Sequence, residues 1–311
     1  MTDILVSEVG LRDGLQSIDR VMPTEAKKRW IAAEAAAGVR EIEVGSFVPP
    51  SLLPQMADTA EIVSFAKTID DLTVVTLVPN AKGALRAAEA GVHAMSIPFS
   101  MSETHSIKNV RKDHPTMLEE IRACAEIARD HDIGFAVSLS TAFGCTMEGA
   151  VPEDQIVRLA EGAAGAGAAE FSLSDTTGYA DPAQVRRLIR RVRAAIGHEK
   201  LTTLHLHNTR GLGLANVVAG LEEGITTFDA SLGGLGGCPF APGASGNLVT
   251  EDLVLMLNSM GLNTGIDLEK LLKVREIVEE ALPGEPIYGF TADAGPMLDY
   301  EQRLARVRAA A

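Results

Sequence analysis

The chain has 311 residues, 46% hydrophobic and 23% charged, enough to bury one large core within a single domain. A net charge of -14 argues against loose binding to nucleic acid or to an anionic membrane surface, and no apolar run is long enough to span a bilayer. Three cysteines, Cys124, Cys145 and Cys238, form a sparse, odd set that fits a reducing compartment; with no signal segment in view, the expected location is the cytoplasm.

Apolar-rich strands and Gly-stopped helices alternate along the chain. The pattern predicts a strand over 4–9, a helix over 23–37 stopped by Gly38, a strand over 41–44 and a helix over 56–67. A third strand over 72–77 precedes a helix over 81–90, and a fourth over 93–98 leads through a longer excursion into a helix over 115–131. Strands over 134–140, 170–174, 201–207 and 226–230 follow, with helices over 152–165, 182–196, 213–223 and 251–260 after them. Eight strand–helix units predict an α/β fold, a (β/α)8 TIM barrel over about 4–262 with extra C-terminal helices over about 263–311. An open doubly wound sheet would carry a Gly-rich phosphate turn after its first strand, and Leu11-Arg12-Asp13-Gly14 is not one.

Chemistry in such barrels sits at the carboxyl ends of the strands. Those ends carry Arg12 and Asp13, then Glu43 and Ser46, then Ser140 and Thr141, then Asp175, then His205 and His207. On a strand, His205 and His207 point to one side. With Asp13, and with Asn247 adding an amide oxygen, they form a mixed O/N donor set suited to Mg²⁺ or Mn²⁺, with zinc the second choice. Taken singly, Asp13 reads as a turn carboxylate and Asn247 as a helix cap; together at one barrel mouth they read as a metal site. Arg12 is placed to neutralise charge on a substrate oxygen, or to pair with Glu43 or Asp175. The Gly-rich stretch 233–247 reads as a lid carrying Cys238, either a proton donor to an enolate or an inert thiol. Cys124 and Cys145 read as inert.

These stretches resemble the 3-hydroxy-3-methylglutaryl-CoA lyase group of the DRE-TIM metallolyases. The matching residues are Val9-Gly10-Leu11-Arg12-Asp13-Gly14-Leu15-Gln16, Ile42-Glu43 with Ser46-Phe47-Val48, Asp175-Thr176 before Gly178, His205-Leu206-His207, and the loop 233–247 followed by Thr250-Glu251-Asp252. The resemblance covers residues from about 5 to about 275. It implies a divalent-metal acyl-CoA lyase that makes acetyl-CoA and an oxo acid by retro-aldol cleavage, as in leucine degradation. It implies that Asp13, His205, His207 and Asn247 hold the cation, Arg12 steadies the enolate and Cys238 is the lid thiol. Glu43 would orient Arg12, and Asp175 would lie near the substrate hydroxyl. Gln16, Ser46, Lys108, Asn109 and Thr141 would contact the substrate, Lys108 and Asn109 at its CoA end. A homodimer or higher homo-oligomer is the expected assembly.

Two departures bear on the substrate. Where the group carries an Arg and a Tyr on strand five, this chain has Ala136-Val137-Ser138-Leu139-Ser140-Thr141. The Asp after the second histidine is Asn208, and an aromatic two residues later is Arg210. The acyl part is therefore expected to be hydroxymethylglutaryl-like, with citramalyl-CoA or a bulkier 3-hydroxyglutaryl-CoA as alternatives. A Claisen condensing enzyme of the same superfamily, or an inactive barrel that binds CoA, are the remaining readings.

Overall fold

A computed structural model of the chain describes residues 2–236 and 246–310. Eight parallel strands close a barrel in sequence order, β1 Leu5–Glu8, β2 Glu41–Ser46, β3 Thr73–Leu77, β4 Ala94–Ser100, β5 Gly134–Ser140, β6 Glu170–Ser174, β7 Leu201–His205 and β8 Thr227–Ala230, with β8 pairing back onto β1. The eight units are a TIM barrel. Around it lie α1 Thr24–Ala37, α2 Thr59–Ala66, α3 Ala81–Ala90, α4 Glu103–Val110, α5 His114–Asp130, α6 Glu153–Gly165, α7 Pro182–Ile196, α8 Gly213–Glu222 and α9 Thr250–Ser259. After the barrel come α10 Leu268–Ala281, α11 Phe290–Ala294 and α12 Tyr300–Ala310, and α10 packs on α1. Among the described residues no helix is long and apolar enough to cross a membrane.

The outward faces of the strands and the inward stripes of the helices make one core. Ile42 on β2 and Trp30 and Ile31 on α1 are wholly buried there, and truncating such an isoleucine to Ala costs about 2–5 kcal/mol. The barrel interior differs from the usual filling of bulky branched side chains. Many inward positions carry Ser, Thr or Ala, and a cavity of about 890 Å³ opens from the mouth past Ser7, Ser96, Ala136, Ser138, Ser172 and Thr203.

Three local features depart from the strand–helix reading. The excursion after β4 contains α4, capped by the Ser102 hydroxyl, which accepts from His105 N–H. The 10–14 stretch is a single π-helical turn in which the Arg12, Asp13 and Gly14 amides all turn back to Val9 O. Strand β7 stops at His205, and His207 instead bridges antiparallel to Asn247.

Candidate active site

The mouth is assembled from three segments that meet at one carboxylate. Glu8, wholly buried at the end of β1, accepts from Gly10 N–H (2.7 Å), Leu232 N–H (3.0 Å) and the Thr250 hydroxyl (2.7 Å). It thus ties the Arg12–Asp13 turn to both ends of the Gly-rich stretch. A Cβ on Gly10 would lie 2.5 Å from the Glu8 carboxylate and 2.9 Å from the Trp30 ring, so glycine is required there. Gly246 has φ +72, and a Cβ would meet Gly234 O at 2.2 Å, so the approach to Asn247 also needs glycine. Glu251 accepts from Gly233 N–H and pairs with Arg275 at 2.5 Å, pinning the same neck.

These supporting acids carry a pH dependence. Burial pushes Glu8 up to about 7, with Glu251 adding repulsion, and burial beside Glu8 lifts Glu34 well above the ordinary range. Neither Glu34 oxygen has a well-formed hydrogen bond. A carboxyl whose pKa rises on folding holds its stabilising proton at low pH and loses it as pH climbs from about 4.5 through the folded value. The melting temperature should therefore fall between about pH 5 and about pH 8. Glu34→Gln should flatten that fall and raise the melting temperature at the upper end by roughly 2–4 °C or more. Thermal melts of both proteins at the two pH values test this, and parallel declines would remove Glu34 from the account.

At the mouth, Asp13, His205 and His207 bring one donor atom each within 4.8 Å of one another. The His205 and His207 Nε2 atoms face each other at 3.1 Å, and His207 Nε2 lies 4.0 Å from Asp13 Oδ2. Two ring nitrogens at that distance either share one proton in a hydrogen bond or flank a cation that both ligate. His205 Nδ1 meets Asp229 Oδ2 at 3.1 Å, an arrangement that leaves Nε2 free to ligate. The Asn247 amide nitrogen donates to Asp13 Oδ2 (2.7 Å) and Leu235 O (3.0 Å), while its buried carbonyl oxygen has no well-formed hydrogen bond, only a weak interaction with His207. It does not cap α9. A buried, poorly satisfied acceptor beside one carboxylate and two imidazoles is what a hard divalent cation satisfies, so the residues fit such an ion.

Electrostatics keep Asp13 and His207 in ligating form. Burial would raise Asp13, but Arg12, His205 and His207 outweigh it and hold its carboxyl far below the usual range. Burial and then the His205 charge push His207 down to about 4, so it is neutral at physiological pH. Burial works against the His205 imidazolium, but the Asp229 hydrogen bond and charge lift its pKa overall. Arg12 donates to Glu43 (2.5 Å) and to Asp13 (2.5 Å), not to Asp175. Ser96 donates to the other Glu43 oxygen at 2.9 Å.

The cavity gathers Arg12, Asp13, Gln16, Glu43, Lys108, Asn109, His205 and His207 along its lining. Gln16 donates to Asp13 at 2.9 Å. Lys108 and Asn109 stand on α4 at the rim. Four other expected residues lie off the lining: Asn247, behind Asp13, and Asp175, Ser46 and Thr141. The Asp175 carboxyl, raised to about 6 by burial, accepts from the Tyr179 and Ala180 amides, while its own N–H donates to His205 O. It therefore braces the loop after β6 and the end of β7 instead of meeting a substrate hydroxyl. The Ser46 hydroxyl accepts from Val48 N–H, and the Thr141 hydroxyl is spent on Ser140 O and Ser102 N–H. Cys238 lies outside the described residues. Cys124 is buried with its thiol pushed up to about 12, and Cys145 is buried, accepting from Met147 N–H. Asn208 accepts from Gly213 N–H at the start of α8, and Arg210 stacks on Tyr179 and donates to Thr177 O and Gly178 O. Both are parts of loop structure.

Sequence reasoning missed Asp229, Glu8 and Glu251. Their signal is a carboxylate inside or beside an apolar strand or at a helix start, where an unpaired charge is costly.

A closed eight-stranded barrel with a carboxylate–imidazole donor set and a buried arginine at its carboxyl end defines a metal-dependent TIM-barrel enzyme. The family model described as HMGL-like matches residues 3–278, and this chain belongs to that family, within the DRE-TIM superfamily. It is a carbon–carbon lyase acting on acyl-CoA. Among its relatives, a hydroxymethylglutaryl-CoA lyase of Bacillus subtilis is 40% identical over 284 residues, covering 91% of this chain and 94% of that protein. An (R)-citramalyl-CoA lyase of Chloroflexus aurantiacus is 39% identical over 307 residues, covering 96% of each. The structure of an HMG-CoA lyase from Acinetobacter baumannii in complex with coenzyme A and 3-methylmalate superposes with a TM-score of 0.89 at 41% identity, covering 95% of this chain and 96% of that one.

Proposed function

We propose that this chain cleaves a 3-hydroxy-3-methylglutaryl-CoA-like thioester to acetyl-CoA and an oxo acid, acetoacetate when the acyl group is hydroxymethylglutaryl. The observation that carries the reading is the convergence of Asp13, His205 and His207 with Arg12 at the mouth of one cavity, with the buried Asn247 amide bonded to Asp13 behind them. Asp13, His205, His207 and Asn247 would hold Mg²⁺ or Mn²⁺, which when bound supplies Lewis-acid polarisation of the substrate hydroxyl. In the cleavage a general base takes the hydroxyl proton, the O–H electrons make the oxygen a carbonyl, and the electrons of the broken carbon–carbon bond pass to the thioester as an enolate. Arg12 faces that developing charge, and Glu43 fixes its guanidinium so that little reorganisation is needed. Cys238, on the Gly-rich stretch, returns a proton to the enolate carbon. Lys108 and Asn109 at the rim meet the CoA end, with Arg111 and Lys112 nearby on the same lining. The reaction runs in the cytoplasm, in keeping with the sparse cysteines. The largely exposed Phe290 and Leu298 support a homodimer or higher assembly.

A second acyl group is favoured by a specific observation. The strand-five residues on the cavity include Ala136, Ser138 and Ser140, all small, and the Chloroflexus relative is a citramalyl-CoA lyase. The test is acetyl-CoA release from hydroxymethylglutaryl-CoA and citramalyl-CoA in parallel, with Mg²⁺ or Mn²⁺ and with EDTA. Metal-dependent release from the first is expected. Release from citramalyl-CoA alone would move the substrate, and release unaffected by EDTA would overturn the metal role.

A further inference from the structure

The barrel holds more open space beneath the donor cluster than a methyl branch can use. The strand register sets His205 level with Ser174 on β6 and Asp229 on β8, and Asp229 level with Ser7 on β1. Two residues further down, Thr203 is level with Ser172, and Ser172 with Ser138. Two further still, Ala136 on β5 lies between Ser96 and Glu170. All these residues line the same cavity. Four residues of strand correspond to about 13 Å, so the shaft below the donors reaches well past a methyl group. Its β3 wall is apolar, through Val75 and Leu77, and its β5 to β7 wall is hydroxylic.

The charge of the shaft is one-sided. Glu170 lines its deeper part, level with Ala136; Glu41 and Asp229 both flank Ser7 higher up, and Glu43 lies two residues above Glu41. Among the lining residues the basic groups at this depth reduce to Arg12, already paired with Glu43 and Asp13. Lys108, Arg111 and Lys112 follow β4 at the mouth. An anionic branch entering the shaft would meet acidic groups, Asp229, Glu43 and the half-protonated Glu41 that burial lifts to about 7, and no free cation among the lining residues below the mouth. The Ser138 and Ser174 hydroxyls pair with each other at 2.7 Å and Ser96 donates to Glu43, so a purely hydrocarbon branch would strip water chiefly from the Ser172 and Thr203 hydroxyls. A short chain with an uncharged hydrogen-bonding end suits both walls.

We propose that the acyl substrate carries at its 3-carbon an uncharged branch longer than methyl and ending in a hydrogen-bonding group, and that Ala136, Ser138, Ser172 and Thr203 select it. This rests on the lyase reading. It goes further by assigning the barrel interior a task in specificity.

The test uses four 3-hydroxyglutaryl-CoA thioesters whose 3-carbon carries methyl, 3-hydroxypropyl, butyl or 2-carboxyethyl, with acetyl-CoA release giving kcat and KM separately. The 3-hydroxypropyl compound is expected to have the highest kcat/KM of the three long-branched thioesters, with 2-carboxyethyl roughly tenfold or more below it. In Ala136→Leu the ratio of 3-hydroxypropyl to methyl kcat/KM should fall roughly tenfold, mainly through KM, because the added side chain fills the shaft. A butyl preference, loss of all three long branches with methyl cleavage kept, or an unchanged ratio in the variant would each overturn the proposal. Failure of every thioester, methyl included, would instead bring down the lyase reading on which it rests.

Discussion

Arg12→Met should reduce kcat by about 10²–10³ or more while leaving divalent-metal binding in place. Arg12 is the cation of the cavity closest in sequence to the donor set, and both of its partners are acids that the site needs for other reasons. Glu43 holds its direction through a 2.5 Å contact, and Asp13 shares it with the metal cluster. Glu43 and Asp13 raise the guanidinium pKa against the effect of burial, so Arg12 is charged throughout the working range. Methionine keeps comparable length and apolar stem but removes the charge, so the loss falls on the transition state more than on the ground state. Burial already raises Glu43 against the opposing Arg12 charge. In the variant it takes up a proton with Ser96 still donating to it, which spares the fold. Arg12→Lys should recover only part of the rate, because an ammonium cannot span Glu43 and Asp13 with a planar fork. Single-turnover kinetics with saturating Mn²⁺ make the measurement, and turnover like that of the unaltered enzyme would remove Arg12 from the chemistry.

The same residues show how far the sequence could be read. Apolar residues and Gly stops gave β5, β6, α3 and α7 to the residue; in β5 and β6 the outward Phe, Val and Leu alternate with small inward residues, a period-two signal. Strand-end position also located Arg12, Asp13, Glu43, His205 and His207. Position along a strand does not settle facing once the backbone departs from regular alternation. A bulge between Glu43 and Gly45 shifts the register before Ser46, and Thr141 takes a left-handed φ of 56, so both hydroxyls turn into the loops. His207 lies past the end of β7, and its approach to His205 depends on the bridge to Asn247, forty residues away in the chain by sequence and invisible to local periodicity. Glu8, Asp229 and Glu251 went unread for a related reason. A carboxylate in an apolar setting announces a constraint, but the partner that explains it comes from another strand or helix.

His207→Ala should weaken divalent-metal affinity by at least about 100-fold, a larger effect than the loss of an outer hydrogen-bonding partner produces. His207 is buried and its pKa is depressed to about 4, so its lone pair is available without displacing a proton. Its removal leaves one imidazole and one carboxylate, with Asn247 still tied to Asp13 through its nitrogen. The fold survives because the bridge is made by the backbone. Asn208 N–H still reaches Gly246 O at 3.1 Å, and Leu248 N–H reaches Leu206 O at 3.2 Å. Apo melting temperatures of variant and parent should therefore stay close, whereas the rise on adding Mn²⁺ should shrink, since stabilisation by a ligand grows with its concentration relative to Kd. Calorimetric titration of Mn²⁺ into both metal-stripped proteins separates the outcomes. A lowered apo melting temperature with unchanged Kd would make His207 a structural residue of the bridge. A lost titration with an intact apo melt makes it a ligand, and the enzyme's rate should then recover only as Mn²⁺ is raised toward the new Kd.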